Sequence, residues 1–175
     1  MPLVVQRRPE RLNITNLQTG EGFLMQFNPT QFRRAVSSAW QRHEVLGQSY
    51  RPLDYLGTNN TTVDLSVYFR AENRTEQQGL ETVMAFLESL QYPPETADSL
   101  GGRRPPRVLV AWPRTFAFAA ILTSYEAVHE MFDLAGRTIQ ATVKLTFEEA
   151  RRSRLTQENV RQNGPFRAPQ QTGGE

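Results

Sequence analysis

The sequence predicts a mainly β domain with one α-helix, an α+β arrangement built on a curled antiparallel sheet. Three observations predict it. Residues 61–69 alternate, with Val63, Leu65, Val67 and Phe69 on one face and Asp64 and Ser66 on the other; period two is the mark of a half-buried strand. Ile139, Ala141, Val143, Leu145 and Phe147 repeat the pattern near the end of the chain. Between them a single segment sets apolar residues at helical spacing: Leu80, Val83, Met84, Phe86, Leu87 and Leu90. A lone helix closing the open end of a curled sheet is an economical way to bury both faces.

The elements follow in order. Leu12, Ile14 and Leu17 lead to a Gly20-Glu21-Gly22 turn, after which Phe23, Met25 and Phe27 alternate with Leu24 and Gln26. This predicts a hairpin. Asn28-Pro29 stops its second arm, because proline cannot donate to a ladder. Residues 33–58 hold scattered anchors, Trp40, Leu46, Tyr50, Leu53 and Tyr55, with no sustained period. They read as an extended, irregular excursion, partly paired, of the kind that is usually functional or ordered by a partner. Gly57-Thr58-Asn59-Asn60 reads as a turn before the strand at 61–69.

Thr75 with Gln78 matches a capping box for the helix, and Pro93-Pro94 ends it. Gly101 to Pro106 is a loop, and Val108–Trp112 a short strand closed by Pro113. Phe116–Val128 and Thr138–Phe147 are two long antiparallel strands joined at Ala135-Gly136. Beyond Ala150 the apolar pattern stops. The predicted organisation is therefore a β domain over 1–150 and a polar, Arg-rich tail over 151–175. In that tail Glu149–Arg161 reads as a short helix, and Gln162–Glu175 as disordered when free.

Composition excludes several classes. The chain of 175 residues has 38% apolar and 22% charged residues and ten Phe, a globular profile with polar appendages. Net charge is only +2, so no strong attraction to polyanions is implied. Of the 20 basic residues only Lys144 is lysine; the arginine bias fits either GC-rich coding or an abundance of bidentate interface pairs. With no cysteine, disulfides and thiolate metal sites are excluded. The N-terminus lacks the apolar stretch of a signal peptide, and Phe116–Leu122 is far short of the ~20 residues of a membrane span. The expected location is the cytoplasm, without membrane insertion.

No residue set carries chemistry, and the expected catalytic, cofactor-binding and metal sites are none. His43-Glu44 and His129-Glu130 are the two tempting pairs. Neither belongs to His-Glu-x-x-His, since Gly47 and Asp133 stand at the fourth positions on. Gly47-Gln48-Ser49 is not a nucleophile elbow, and Gly101-Gly102-Arg103-Arg104 lacks the lysine of a phosphate loop. Glu148 and Glu149 point to opposite faces if the strand continues, which prevents shared acid–base work. The basic runs Arg103-Arg104-Pro105-Pro106-Arg107 and Arg151, Arg152, Arg154 lack the interleaved aromatics of single-strand nucleic-acid binders. No nucleic-acid partner is expected, and a nucleic-acid-binding β-barrel is the less favoured reading.

One set of features points elsewhere. Phe23-Leu-Met-Gln-Phe27-Asn28-Pro29 resembles the Phe-Asn-Pro signature of tube-type proteins of contractile, phage-tail-like injection systems. Trp40, Gly47 and Leu53-x-Tyr55-x-Gly57 follow in the same order as in that family. So do Phe86-Leu87-x-x-Leu90-x-Tyr92-Pro93, Val108-Leu-Val-x-Trp112-Pro113, and Phe132, Gly136 and the run from Ala141 to Glu149. The resemblance covers residues 12 to 150. It implies a curled sheet or barrel of the phage tail-tube type. It further implies a structural, non-enzymatic subunit that forms a six-fold ring with itself and joins the inner tube protein to the spike or hub and other baseplate subunits. A tail-completion or tube-terminator protein is the alternative. Relatives often carry a C-terminal LysM module, for which this chain leaves no room after Phe147.

Overall fold

The computed structural model describes residues 10–43, 52–95 and 103–150. The tail reading over 151–175, the Gly47-Gln48-Ser49 segment and Gly101-Gly102 lie outside them.

Among the described residues there are nine strands and one helix. β1 (Asn13–Asn16) and β2 (Gly22–Leu24) form the expected hairpin. β3 (Phe32–Ala35), β4 (Ser38–Arg42) and β5 (Leu53–Thr58) follow, then β6 (Thr62–Arg70), α1 (Arg74–Ser89), β7 (Val108–Trp112), β8 (Phe116–Phe132) and β9 (Thr138–Glu149). Seven strands make one antiparallel sheet in the order β2-β1-β7-β8-β9-β6-β3, while β4 and β5 pair only with each other.

The sheet is open and not closed into a barrel, with β2 and β3 as its edges. It nevertheless curls. Phe32 on edge strand β3 meets Phe116 at the start of β8 with ring centroids 5.1 Å apart, and Phe23 on β2 lies 6.4 Å from Phe69 on β6. Two side-chain amides extend the ladder where backbone pairing ends. Gln26 donates to the Arg70 carbonyl (2.7 Å) and accepts from the Arg70 N–H (3.0 Å). Asn28 does the same across β1, accepting from Leu12 N–H (2.9 Å) and donating to Glu10 O (2.8 Å). The Asn-Pro pair thus does more than stop a strand: Asn28 pins the chain entering β1.

The core lies inside the curl. Val63, Leu65, Val67 and Phe69 of β6 face Ala141, Val143, Leu145 and Phe147 of β9, in register, and all are buried. Phe116, Phe118, Ala120 and Leu122 add the first half of β8. The helix contributes the predicted stripe, with Leu80, Val83, Met84, Phe86, Leu87 and Leu90 all buried. Its cap, however, starts two residues earlier than the Thr75–Gln78 reading. Asn73 Oδ1 accepts from Glu76 N–H (2.9 Å), and Glu76 Oε2 accepts from Glu72 N–H (2.7 Å). An Asn-x-x-Glu pair closes the box because asparagine caps at least as well as threonine and the acid suits the positive helix end.

The excursion is the main revision of the sequence reading. Its described part is regular, supplying edge strand β3 and a two-stranded ribbon, β4–β5. A β-bulge between Ala39 and Trp40 pairs Ala39 with Gly57 and Trp40 with Tyr55, leaving Leu56 as the extra residue. The turn read at 57–60 shrinks accordingly to Asn59-Asn60, since Gly57 and Thr58 belong to β5.

Candidate functional site

Among the described residues, two places set several exposed apolar side chains side by side, while others such as Leu17, Phe27 and Tyr92 are scattered. The first is the β4–β5 ribbon. Trp40 sits opposite Tyr55 and Arg42 opposite Leu53, so alternation puts Trp40, Arg42, Leu53 and Tyr55 on one face. Gln41, His43 and Asp54 occupy the other. The Trp40 and Tyr55 rings meet edge to face at 5.2 Å, yet each residue remains 55% exposed. A two-stranded ribbon alone is marginally stable in water, and here none of the described residues covers its apolar face. The polar face is tied down by His43 Nε2 to Asp54 Oδ2 at 2.7 Å and by His43 N–H donating to Pro52 O.

The second arm is the far end of the β8–β9 hairpin. Up to Leu122 every second residue of β8 is buried; irregularities at Leu122/Ser124 and around Met131 then shift the register. The sequence ended this strand at Val128, whereas pairing continues to Phe132. Val128, Met131, Phe132 and Leu134 emerge exposed, Phe132 by 57% and Leu134 fully. The turn beyond is well built. Asp133 Oδ1 accepts from Ala135 N–H (2.8 Å) and Arg137 N–H (2.9 Å), and Asp133 Oδ2 pairs with Arg137 Nε at 3.1 Å. The Arg137 N–H bond above all, then that of Ala135 and the Arg137 charge, holds the Asp133 carboxyl below its ordinary pKa. Behind this arm, burial and then the nearby Glu88 charge push the Tyr125 phenol up.

The residues weighed for chemistry lie apart. His43 is on the ribbon, and His129 is on β8, bonded through Nδ1 to Thr138 Oγ1 at 2.8 Å. Among the described residues no group of three or more His, Asp and Glu side chains could hold a metal ion. Glu148 and Glu149 do part to opposite faces: Glu148 accepts from Asn60 Nδ2 at 2.8 Å, while Glu149 is 5% exposed on the core side. Arg107 serves the fold, its Nη2 donating to Ala150 O at 2.7 Å. On the outer face of the sheet a shallow groove of about 460 Å³ is lined by Arg33, Asp64, Ser66, Glu126, Lys144 and Thr146. Within it Lys144 pairs with Glu126 at 3.1 Å, and Asp64 accepts a hydrogen bond from Thr146 Oγ1 at 2.9 Å. No helix among the described residues is long and apolar enough to cross a membrane.

The sequence pointed to the ribbon through Trp40, Leu53 and Tyr55. It missed the hairpin end, although Met131-Phe132 and Leu134 break the surrounding polar pattern.

Comparison with known proteins adds three findings. A family model described as contractile injection system tube protein matches residues 9–158. A search of curated proteins gave no match. Among solved structures, the chain is similar to a subunit in the tail of an empty GTA particle determined with C6 symmetry (11% identity, 84% of this chain and 95% of that one, TM-score 0.38). It is also similar to one in the virion of a native gene transfer agent particle (14%, 81% and 92%, TM-score 0.37). A third is in the six-fold symmetrised baseplate of the anti-feeding prophage (11%, 86% and 96%, TM-score 0.36).

Proposed function

The chain belongs to the contractile injection system tube protein family, and on that premise we propose that it is a structural ring subunit joining the inner tube to the spike hub and baseplate of a phage-tail-like particle. The observation that supports this reading most is the uncovered apolar surface on two arms. Monomeric proteins seldom leave aromatic and aliphatic groups exposed together unless a partner covers them. Here Trp40 and Tyr55 on the ribbon and Phe132 and Leu134 on the hairpin end stand clear of the core. The open edges β2 and β3 add unpaired backbone groups that neighbours in a ring can cover. Its partners are then further copies of itself in a six-fold ring, the inner tube protein, the spike or hub protein and other baseplate subunits.

In this role the chain carries out no reaction. Its work is mechanical and is done by a rigid core that holds the arms in place. The particle is assembled in the cytoplasm, with the folded unit ending near residue 150 and residues 151–175 forming a polar, Arg-rich appendage. A cryo-EM reconstruction of particles carrying a tag on this chain tests the assignment. The expected result is one ring of six copies between tube and spike. Copies repeated along the whole tube, or at its opposite end, would contradict the position.

A further inference from the structure

The two arms match each other in exposed apolar side chains and in the charge beside them. The ribbon offers Trp40, Leu53 and Tyr55 on one face, and the hairpin end offers Met131, Phe132 and Leu134; all six are exposed. On the ribbon Asp54 is bonded to His43 on the polar face, and Arg42 is the charged residue of the apolar face. The hairpin end carries Glu126, Glu130 and Asp133 against Lys144 and Arg137; Lys144 pairs with Glu126 and Arg137 with Asp133, which leaves Glu130 as the carboxylate with no cation beside it among the described residues. The ribbon's apolar face therefore offers a cation, and the hairpin end a carboxylate beyond its own ion pairs. Arg42 lies on the ribbon's apolar face by its pairing with Leu53. Glu130 falls at the irregularity where β8 and β9 lose register, its carboxylate held by Gln140 Nε2 at 2.6 Å on the exposed side.

Resting on the ring reading above, we propose that the β4–β5 ribbon of one copy seats its apolar face on the β8–β9 hairpin end of the next copy of this chain. Two different patches of the same molecule meet, so the contact is heterologous and propagates head to tail, as a ring requires. Ribbon against ribbon would instead set Arg42 beside its own counterpart, and hairpin end against hairpin end would crowd Glu130 and Asp133; like charges at an interface disfavour both. The aromatic and methionine side chains form the apolar centre, and Arg42 and Glu130 lie at its rim. Such a division, with apolar anchors in the middle and charges outside, is the usual anatomy of a specific interface. Seating also gives the ribbon the cover that a two-stranded sheet lacks.

The absence of cysteine from the sequence makes the test direct. Two preparations of the full chain, Leu53→Cys and Leu134→Cys, carry different tags and are mixed and oxidised, alone at the highest soluble concentration and in assembled particles. The expected product is the mixed disulfide between the two preparations. Arg42→Glu added to the first preparation abolishes it, and Glu130→Arg added to the second restores it. Like-with-like disulfides in place of the mixed one overturn the contact, as does the lack of any mixed disulfide in either setting. Rings that form without it refute the contact and leave the ring reading intact. A mixed disulfide confined to open-ended chains keeps the contact and removes the ring.

Discussion

The β6–β9 pair and the β4–β5 ribbon are built on the same alternation and have opposite fates. In the first, Val63, Leu65, Val67 and Phe69 meet Phe147, Leu145, Val143 and Ala141 across the ladder and disappear beneath helix and sheet. In the second, Trp40 meets Tyr55 in the same manner and half of each residue stays in water. Cross-strand pairing is a local property, whereas burial needs a second layer, and the described residues provide that layer for the β6–β9 pair and not for the ribbon. On the proposed reading, the ribbon's apolar face gains its second layer from a neighbouring subunit.

Truncating the core should show the largest effect. Phe147 is fully buried near the C-terminal end of β9, and Phe147→Ala should cost about 3–5 kcal/mol of unfolding free energy, measured by denaturant titration. A loss as small as that of a surface substitution would break the comparison, because the pair would then not be the structural centre. The clamp on the chain entering β1 comes next. Asn28→Ala removes the bonds to Leu12 N–H and Glu10 O and should cost about 1–3 kcal/mol, since it strands a partly buried N–H. Asn73→Ala should cost about 1 kcal/mol through loss of the helix cap, and Thr75→Ala markedly less. Equal losses at 73 and 75 would restore the later cap.

Acid sharpens the contrast from the other side. The Asp133 carboxyl titrates below its ordinary value in the folded chain. The stabilisation it gives the β8–β9 turn is therefore complete above the unfolded-state pKa, and is lost as pH falls through the folded one. Protection factors at Ala135 and Arg137, the exchange rates corrected for the intrinsic effect of pH, should fall in acid and be highest at neutral pH, while those of the β6–β9 amides hold. Protection that falls equally in both places would deny the hairpin end its separate, weaker stability.

The difference between the regions also explains what the sequence revealed. β6 and β9 were legible because their alternation ends in burial, with Val63 to Phe69 and Ile139 to Phe147 presenting an apolar face, whereas β7 stood out as an unbroken apolar run, Val108 to Trp112, closed by Pro113. The helix body was legible from its stripe, but its start was not, since Asn73/Glu76 and Thr75/Gln78 are both acceptable caps and only backbone geometry chooses between them. Residues 33–58 read as irregular because their alternation is short, bulged at Leu56, and answered by no core within the chain. Gln26 and Asn28 gave no sign of their clamps, which reach Arg70 and Leu12 through space. Phe132 and Leu134 were hidden differently, as apolar residues that look like the end of a strand yet are not covered by anything in it.

Burial of the ribbon on assembly is the central claim, and Trp40 reports it directly. Trp112→Phe leaves Trp40 as the sole tryptophan of the chain, and its fluorescence can be followed in the free subunit and in assembled particles. The account predicts a red emission readily quenched by acrylamide in the free chain, then a blue shift and loss of quenching on assembly. Trp40 remaining red and quenchable in intact particles that contain the chain would contradict it.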